Sequence, residues 1–440
     1  MKILVADGVS EKGIEILSKE FECEIRAKLP AEELLATIHE YDGLVVRSAS
    51  KVTKEVIEAA TNLKVIGRAG VGVDNIDIEA ATAKGIIVLN APEGNTIAAT
   101  EHTVAMMLSM ARNIPQAHSS VQNGEWKRNQ FVGVEMRGKT LGVIGLGRIG
   151  SGVAKRAIAF DMKVIGYDPY VNEERAKTMG IEVVSLEEIY ANADFISVHM
   201  PLTAQTKDLI NSETISKMKD GVYLVNCARG GIINEADLAE AVKAGKVAGA
   251  AIDVFPKEPI EPNSPLLGVD KIVLTPHLGA STVEAQIGVS VDVAYGIVAA
   301  LKGEPVTTAV NMAPVAPHVL KFIKPYFGLA DRMGKTAVSL AEGPITKIEV
   351  EYNGEITQYE TKMISTAVLK GILNPILQES VNFVNAPGLA KDRNIQVKEV
   401  KNEASESFAN LITVRTTTAK GETVIQGTLF GEEERIVAIN

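Results

Sequence analysis

The stretch "GVIGLGRIG", residues 142–150, constrains this chain more than any other. Gly145, Gly147 and Gly150 stand in G-x-G-x-x-G spacing, after a strand-like run, "TLGVIGL" (140–146), and before a helix-like pattern. Such a turn suits a dinucleotide. The first glycine makes the turn, the second lets a pyrophosphate approach the backbone, and the third packs helix against strand. The pyrophosphate then sits on a helix N-terminus, where unpaired N–H groups favour an anion. The next strand, "KVIGYD" (163–168), ends at Asp168. A carboxylate there accepts hydrogen bonds from ribose hydroxyls and repels a 2′-phosphate, so the expected cofactor is NAD, not NADP.

A domain of this kind normally opens near a chain start, yet its fingerprint begins at residue 142. What precedes it has its own α/β texture. "KILVAD" (2–7), "ECEIRA" (22–27), "GLVVRS" (43–48), "KVIGRA" (64–69) and "GIIVLNA" (85–91) read as strands, separated by helix-length segments. Continuous apolar runs of this type belong to parallel sheets covered on both faces. Residues 96–124 read as one long helix. After the fingerprint come 163–168, 183–186, 195–200, 222–228, 249–255 and 271–277, completing a doubly wound sheet, and then a helix over 281–302. The segment 301–317, rich in Pro and Thr, reads as a linker. Beyond it an α+β module is expected, with helices near 318–341 and 360–380 and strands at 345–354, 395–402, 411–418 and 422–431.

A chain of 440 residues exceeds one core, so two or three domains are expected. The formal charge of −10 argues against nucleic acid as a partner, because phosphate backbones need a basic face. Cys23 and Cys227 form no disulfide framework and point to a reducing compartment, the cytoplasm. "MKILVADGVS" turns polar too early for a signal peptide, and no unbroken run of apolar residues is long enough for a membrane span. No metal site is expected.

Three residues lie just past strand ends of the second series. They are Arg229 in "NCARGGIINE", Glu258 in "AIDVFPKEP" and His277 in "LTPHLGAST". In a parallel sheet all three fall on the carboxyl edge, where ligands bind. Oxidising a secondary alcohol needs a base for the hydroxyl proton while hydride leaves carbon. Histidine can take and return that proton. A carboxylate behind it fixes the tautomer and stabilises the imidazolium. Arginine can grip a substrate carboxylate in a two-pronged way and polarise the developing carbonyl.

"GKTLGVIGLGRIG", "VNCARGG", "DVFPKEP" and "PHLGAST", in that order over residues 138–282, resemble the signatures of the D-2-hydroxyacid dehydrogenase family. The resemblance implies a Rossmann-type NAD domain (96–282) inserted into a discontinuous, flavodoxin-like substrate domain (1–95 and 283–305), with the active site in the cleft between them. It also implies further cofactor contacts from Arg148, Ile149, Pro169, Thr206, Cys227, Ala228, Asp253, Gly279 and Ala280. Cys227 is expected as apolar packing beside the nicotinamide, since hydride transfer needs no nucleophile.

Arg47 ends "GLVVR" and Arg68 follows "KVIG". Two arginines at equivalent ends of two strands suit a dianionic phosphate. The glycine-rich loop 68–77 could offer N–H groups to a substrate carboxylate. The stretches 45–53, 67–77, 123–131 and 281–286 resemble the branch of the family that oxidises 3-phospho-D-glycerate, a small-molecule phosphorylated hydroxy acid, at the head of phosphorylated L-serine synthesis. That resemblance adds Ser48, Gly70, Val71 and Asn95 to the substrate contacts. It implies self-association as dimer or tetramer, with Trp126, Lys127 and Arg128 near a partner subunit. It reads 315–440 as an intervening, allosteric-substrate-binding-type domain, in a long-form arrangement lacking the terminal ACT domain. Two other readings remain open: a related dehydrogenase acting on glycerate, hydroxypyruvate or lactate, and a non-enzymatic, NAD-binding corepressor-type scaffold.

Overall fold

The computed structural model describes residues 1–27, 29–304, 306–377, 381–402 and 408–440. By contacts the described chain divides into two units, Met1–Pro92 with Ile287–Asn440, and Glu93–Gln286.

In the first unit the apolar runs form β1 (Lys2–Val5), β2 (Glu22–Ile25), β3 (Gly43–Val46), β4 (Val65–Arg68) and β5 (Ile87–Leu89). They pair in parallel in the order β2-β1-β3-β4-β5. This is the flavodoxin-like order. The helix Val283–Leu301 returns to this sheet: a Cβ on Gly67 of β4 would overlap Val293 and Ile297. The N–H of Ser10 donates to Ser290 Oγ at 3.1 Å, and Gly13 leaves no room for a Cβ beside Ser290. By length and composition alone this helix is long and apolar enough to cross a membrane. Glu284 and Asp292 interrupt its apolar sequence, and its Val289, Val293, Ala294 and Ile297 are buried in the core beneath the sheet.

The same unit carries a third sheet, β13 (Ile345–Gly354), β14 (Gln396–Asn402), β15 (Asn410–Thr418), β16 (Gly421–Phe430) and β17 (Glu433–Ile439), in the order β14-β13-β15-β16-β17. Only β13 and β14 pair in parallel. Its core, from Ile323 through Met333, Tyr352 and Ile372 to Ile425, is its own. The expected linker is pinned rather than loose. Ala309 bridges Leu89, Asn311 Oδ1 accepts from the N–H of Val88, and Asn311 Nδ2 donates to the carbonyl of Ile86. Asn382 Nδ2 donates to the carbonyl of Gly85 at 2.7 Å, which ties the module to the first sheet.

The second unit holds β6 (Thr140–Ile144), β7 (Lys163–Tyr167), β8 (Glu182–Val183), β9 (Phe195–Val198), β10 (Val222–Asn226), β11 (Val247–Ile252) and β12 (Ile272–Leu274). The order β12-β11-β10-β9-β6-β7-β8 is doubly wound, with its switch point between β6 and β9.

Two expected helices are split. The segment 96–124 forms Thr96–Ala111 and Ile114–Gln122, broken at Asn113, which adopts φ 52 ahead of Pro115. The segment 318–341 forms Pro317–Ile323 and Tyr326–Leu340, parted at Pro325. A proline lacks the N–H that a continuing helix needs. The helix expected at 360–380 covers Lys362–Leu373, and a further helix, Ala386–Asp392, was not expected. Residues 378–380 of that expectation, and Pro305 at the end of 283–305, lie outside the described residues.

Candidate active site

The dinucleotide turn has the shape the glycines predict. Gly145 adopts φ 99, and a Cβ there would lie 2.5 Å from the carbonyl oxygen of His199. A Cβ on Gly150 would collide with the carbonyl of Gly145, so the helix Arg148–Ala159 packs on the turn only with glycine there. At Gly147, the N-cap of that helix, an added Cβ would meet nothing within 4 Å, and no side chain caps the first N–H groups. A cradle closed on two sides and open on the third fits a pyrophosphate. Arg148 and Ile149 open the helix, and Arg148 pairs with Glu93 at 3.1 Å.

Asp168 lies just past β7. Its oxygens accept from the N–H groups of Leu146 (2.9 Å) and Tyr170 (2.8 Å). These bonds orient the carboxylate on the turn and leave lone pairs for ribose hydroxyls. Pro169 beside it is exposed. Asp168→Ala is expected to weaken NAD binding about tenfold or more and to narrow the NAD/NADP preference, since hydrogen bonds to charged groups contribute ~1.5–3 kcal/mol. Titration calorimetry with both nucleotides checks this; unchanged affinity and preference would refute the ribose assignment.

β10, β11 and β12 lie side by side, so the segments after them share one edge. Asn226 at the end of β10 shapes the first: its Nδ2 donates to the carbonyl of Arg229, and its Oδ1 accepts from the N–H of Ala228. Arg229 Nη1 donates to the Ala228 carbonyl. Gly230 passes so close to the Phe255–Pro256 backbone that a Cβ would not fit, which sets the Arg229 turn against the loop carrying Glu258.

His277 Nδ1 and Glu258 Oε2 are 2.8 Å apart. Glu258 Oε1 accepts from the N–H of Phe255. Burial pushes the Glu258 carboxyl up, but the bonds from His277 and Phe255 more than offset it and hold it below the usual carboxylate range. An ionised Glu258 places the proton on Nδ1 and leaves the lone pair on Nε2, the state a general base needs.

Other expected cofactor residues serve the fold visibly. The Thr206 hydroxyl donates to the Pro201 carbonyl and accepts from the N–H of Thr203, closing its own loop. Burial pushes the Cys227 thiol up to about 12, with the charge of Asp253 adding to it, which agrees with packing and not nucleophilic chemistry. Asp253 is fully buried and holds the 277–279 segment, accepting from the N–H groups of Leu278 (2.8 Å) and Gly279 (3.0 Å). Ala280 follows, half-buried. His102, Cys227 and Asp253 form a set of metal-ligand types within 4.8 Å. The sequence reading missed His102 and Asn226: His102 acts through contacts with Asp253 and Thr275, far away in sequence, and Asn226 by folding its own turn.

In the first unit Arg47 directly follows Val46, whose partner across β3 and β4 is Arg68, so the two arginines share one sheet edge. Asp7 shapes the Arg47 loop, accepting from the N–H groups of Arg47 (2.6 Å) and Ser50 (3.1 Å). Asn75 Nδ2 donates to the Arg47 carbonyl. The Arg68 guanidinium lies over Gly70, where a Cβ would collide with it. Val71 is fixed by Asn90 Nδ2 at its carbonyl, and Ser48 is exposed. Back in the second unit, the Asn95 amide oxygen is buried with no hydrogen-bond partner among the described residues, at the uncapped start of helix Thr96–Ala111.

A pyrophosphate cradle and a carboxylate-backed imidazole on the edge of one sheet suit hydride removal from an alcohol, and place the chain among NAD-dependent dehydrogenases of D-2-hydroxy acids. Residues 104–279 match the D-isomer specific 2-hydroxyacid dehydrogenase NAD binding domain, and 322–440 the D-3-phosphoglycerate dehydrogenase intervening domain. The D-3-phosphoglycerate dehydrogenases of Archaeoglobus fulgidus and Methanocaldococcus jannaschii are each 48% identical over 441 residues, 100% of this chain and 84% of theirs. The chain belongs to the D-3-phosphoglycerate dehydrogenase family. A crystal structure of D-lactate dehydrogenase from Aquifex aeolicus, complexed with NAD and lactic acid, is 30% identical, with TM-score 0.62 over 69% of this chain and 96% of that one.

Proposed function

We propose that this protein oxidises 3-phospho-D-glycerate to 3-phosphohydroxypyruvate with NAD, the first step of the phosphorylated route to L-serine. The observation that carries the choice of acid is the pairing of Arg47 and Arg68 on neighbouring strand ends. It adds a phosphate-binding pair to chemistry common to the wider family. NAD supplies the hydride acceptor. His277 Nε2 takes the C2 hydroxyl proton, and Glu258 stabilises the imidazolium that results. Arg229 grips the substrate carboxylate and polarises the forming carbonyl, and the unpartnered Asn95 oxygen accepts from a substrate hydroxyl. Ser48, Gly70 and Val71 complete the substrate contacts. Residues 1–95 with 283–305 serve as the substrate domain, 96–282 as the NAD domain and 315–440 as the intervening domain. The unpaired Cys23 and Cys227 suit a cytoplasmic enzyme. The test is reduction of 3-phosphohydroxypyruvate by NADH, with 3-phospho-D-glycerate identified as product by mass; no NADH consumption would refute the reading.

The protein self-associates, with Trp126, Lys127 and Arg128 contributing at the contact. Trp126 is 84% exposed and Val132, five residues beyond the loop's Lys127, 80% exposed, an unusual outlay of apolar surface. Trp126→Ala is expected to weaken the dimer by about 30-fold or more in Kd, since buried interface tryptophans contribute ~2 kcal/mol or more. Sedimentation equilibrium measures it; an unchanged association constant would count against the contact.

A further inference from the structure

The helix Thr96–Ala111 brings His102 to the carboxyl ends of β11 and β12. His102 Nε2 lies 3.1 Å from Asp253 Oδ1 and 3.3 Å from Thr275 Oγ1. Thr275 Oγ1 donates to the same carboxylate oxygen at 2.6 Å. The carboxylate also accepts from the N–H groups of Leu278 and Gly279, and the Asp253 carbonyl accepts from the N–H of His277 at 2.9 Å. One buried aspartate therefore gathers three consecutive backbone N–H groups, beginning with that of His277. His277 itself sits at φ 54, a left-handed conformation that residues with a Cβ seldom adopt. Such a conformation persists only where its surroundings enforce it. A buried carboxylate left short of donors would lose much of its hold, because unpaired charge is expensive in the interior.

We propose that His102 is a positioning residue. By donating to Asp253 it keeps that carboxylate ionised and fixed, and Asp253 in turn holds the 277–279 segment in the conformation that aims His277 at Glu258 and the substrate. This rests on the reading of His277 as the general base. Among the described residues His102 bonds to Asp253 and Thr275 and not to His277, so its effect is expected on the chemical step more than on binding. Small misplacements of a reacting group cost up to about 100-fold.

The test compares His102→Ala with His102→Gln in the full chain, beside His277→Gln as reference. His102→Ala is expected to lower kcat by about 10- to 100-fold, with less than about threefold change in the KM of the acid. The primary isotope effect from 2-deuterated substrate should rise as hydride transfer becomes limiting. His102→Gln keeps an N–H donor near the Nε2 position and is expected to recover most of kcat. If His102→Ala is poorly folded, His102→Gln against His102→Leu at matched thermal stability carries the comparison. Wild-type kcat in His102→Ala, or equal losses in the donor-bearing and donor-free variants, would overturn the proposal while leaving His277 as base. Retained activity in His277→Gln would instead overturn the reading on which it rests.

Discussion

His277→Gln is expected to lower kcat by about 10²–10⁴-fold, the range a positioned general acid–base supplies. NAD should bind as before, because the glycine turn follows β6 and Asp168 follows β7, at other strand ends than the one that leads into the 277–279 segment. Glu258→Gln should cost less than His277→Gln. The amide still bonds to Nδ1 but no longer carries the charge that stabilises the imidazolium. Protonating Glu258 should have a similar effect. Its carboxyl is held below the usual range, so activity supported by its charge is present at neutral pH and lost as pH falls through that lowered value. Steady-state kinetics with parallel NAD titration measures both variants. A His277→Gln enzyme retaining more than about a tenth of wild-type kcat would rule out the assigned base.

Arg47→Ala and Arg68→Ala are expected to lower kcat/KM for 3-phospho-D-glycerate by about 10- to 150-fold each, the equivalent of ~1.5–3 kcal/mol for a charge-assisted contact. With D-glycerate, which has no phosphate to lose, the loss should be far smaller. Gly70→Ala should act in the same direction, because its methyl would displace the Arg68 guanidinium. Equal losses on both acids would mean that the arginines are structural or bind the common carboxylate.

The strands of both parallel sheets were legible because strands buried on both faces read as unbroken apolar runs, as in β3, "GLVV", and β9, "FISV". The residues past β10, β11 and β12 were legible because parallel topology sends strand ends to one edge, so Arg229, Glu258 and His277 needed no three-dimensional information to be grouped. The break at Asn113 had a signal in Pro115, which the apolar periodicity on either side masked. The seven-residue helix Ala386–Asp392 was hidden by its own Pro and Gly. The 301–317 segment has the composition of a linker, yet its anchoring depends on Asn311 and main-chain groups at Leu89 and Ala309, which composition does not encode. The Asp253 clamp was the least legible. His102 and Asp253 meet from far apart in sequence, and neither carries a local pattern announcing the other.

The most direct measurement is kcat/KM for NAD reduction by the purified chain with 3-phospho-D-glycerate, D-glycerate and D-lactate side by side. The account predicts a preference for the phosphorylated acid of about 10-fold or more, since one arginine–phosphate contact alone contributes ~1.5–3 kcal/mol. Equal turnover of the three acids, or a preference for D-lactate, would contradict it.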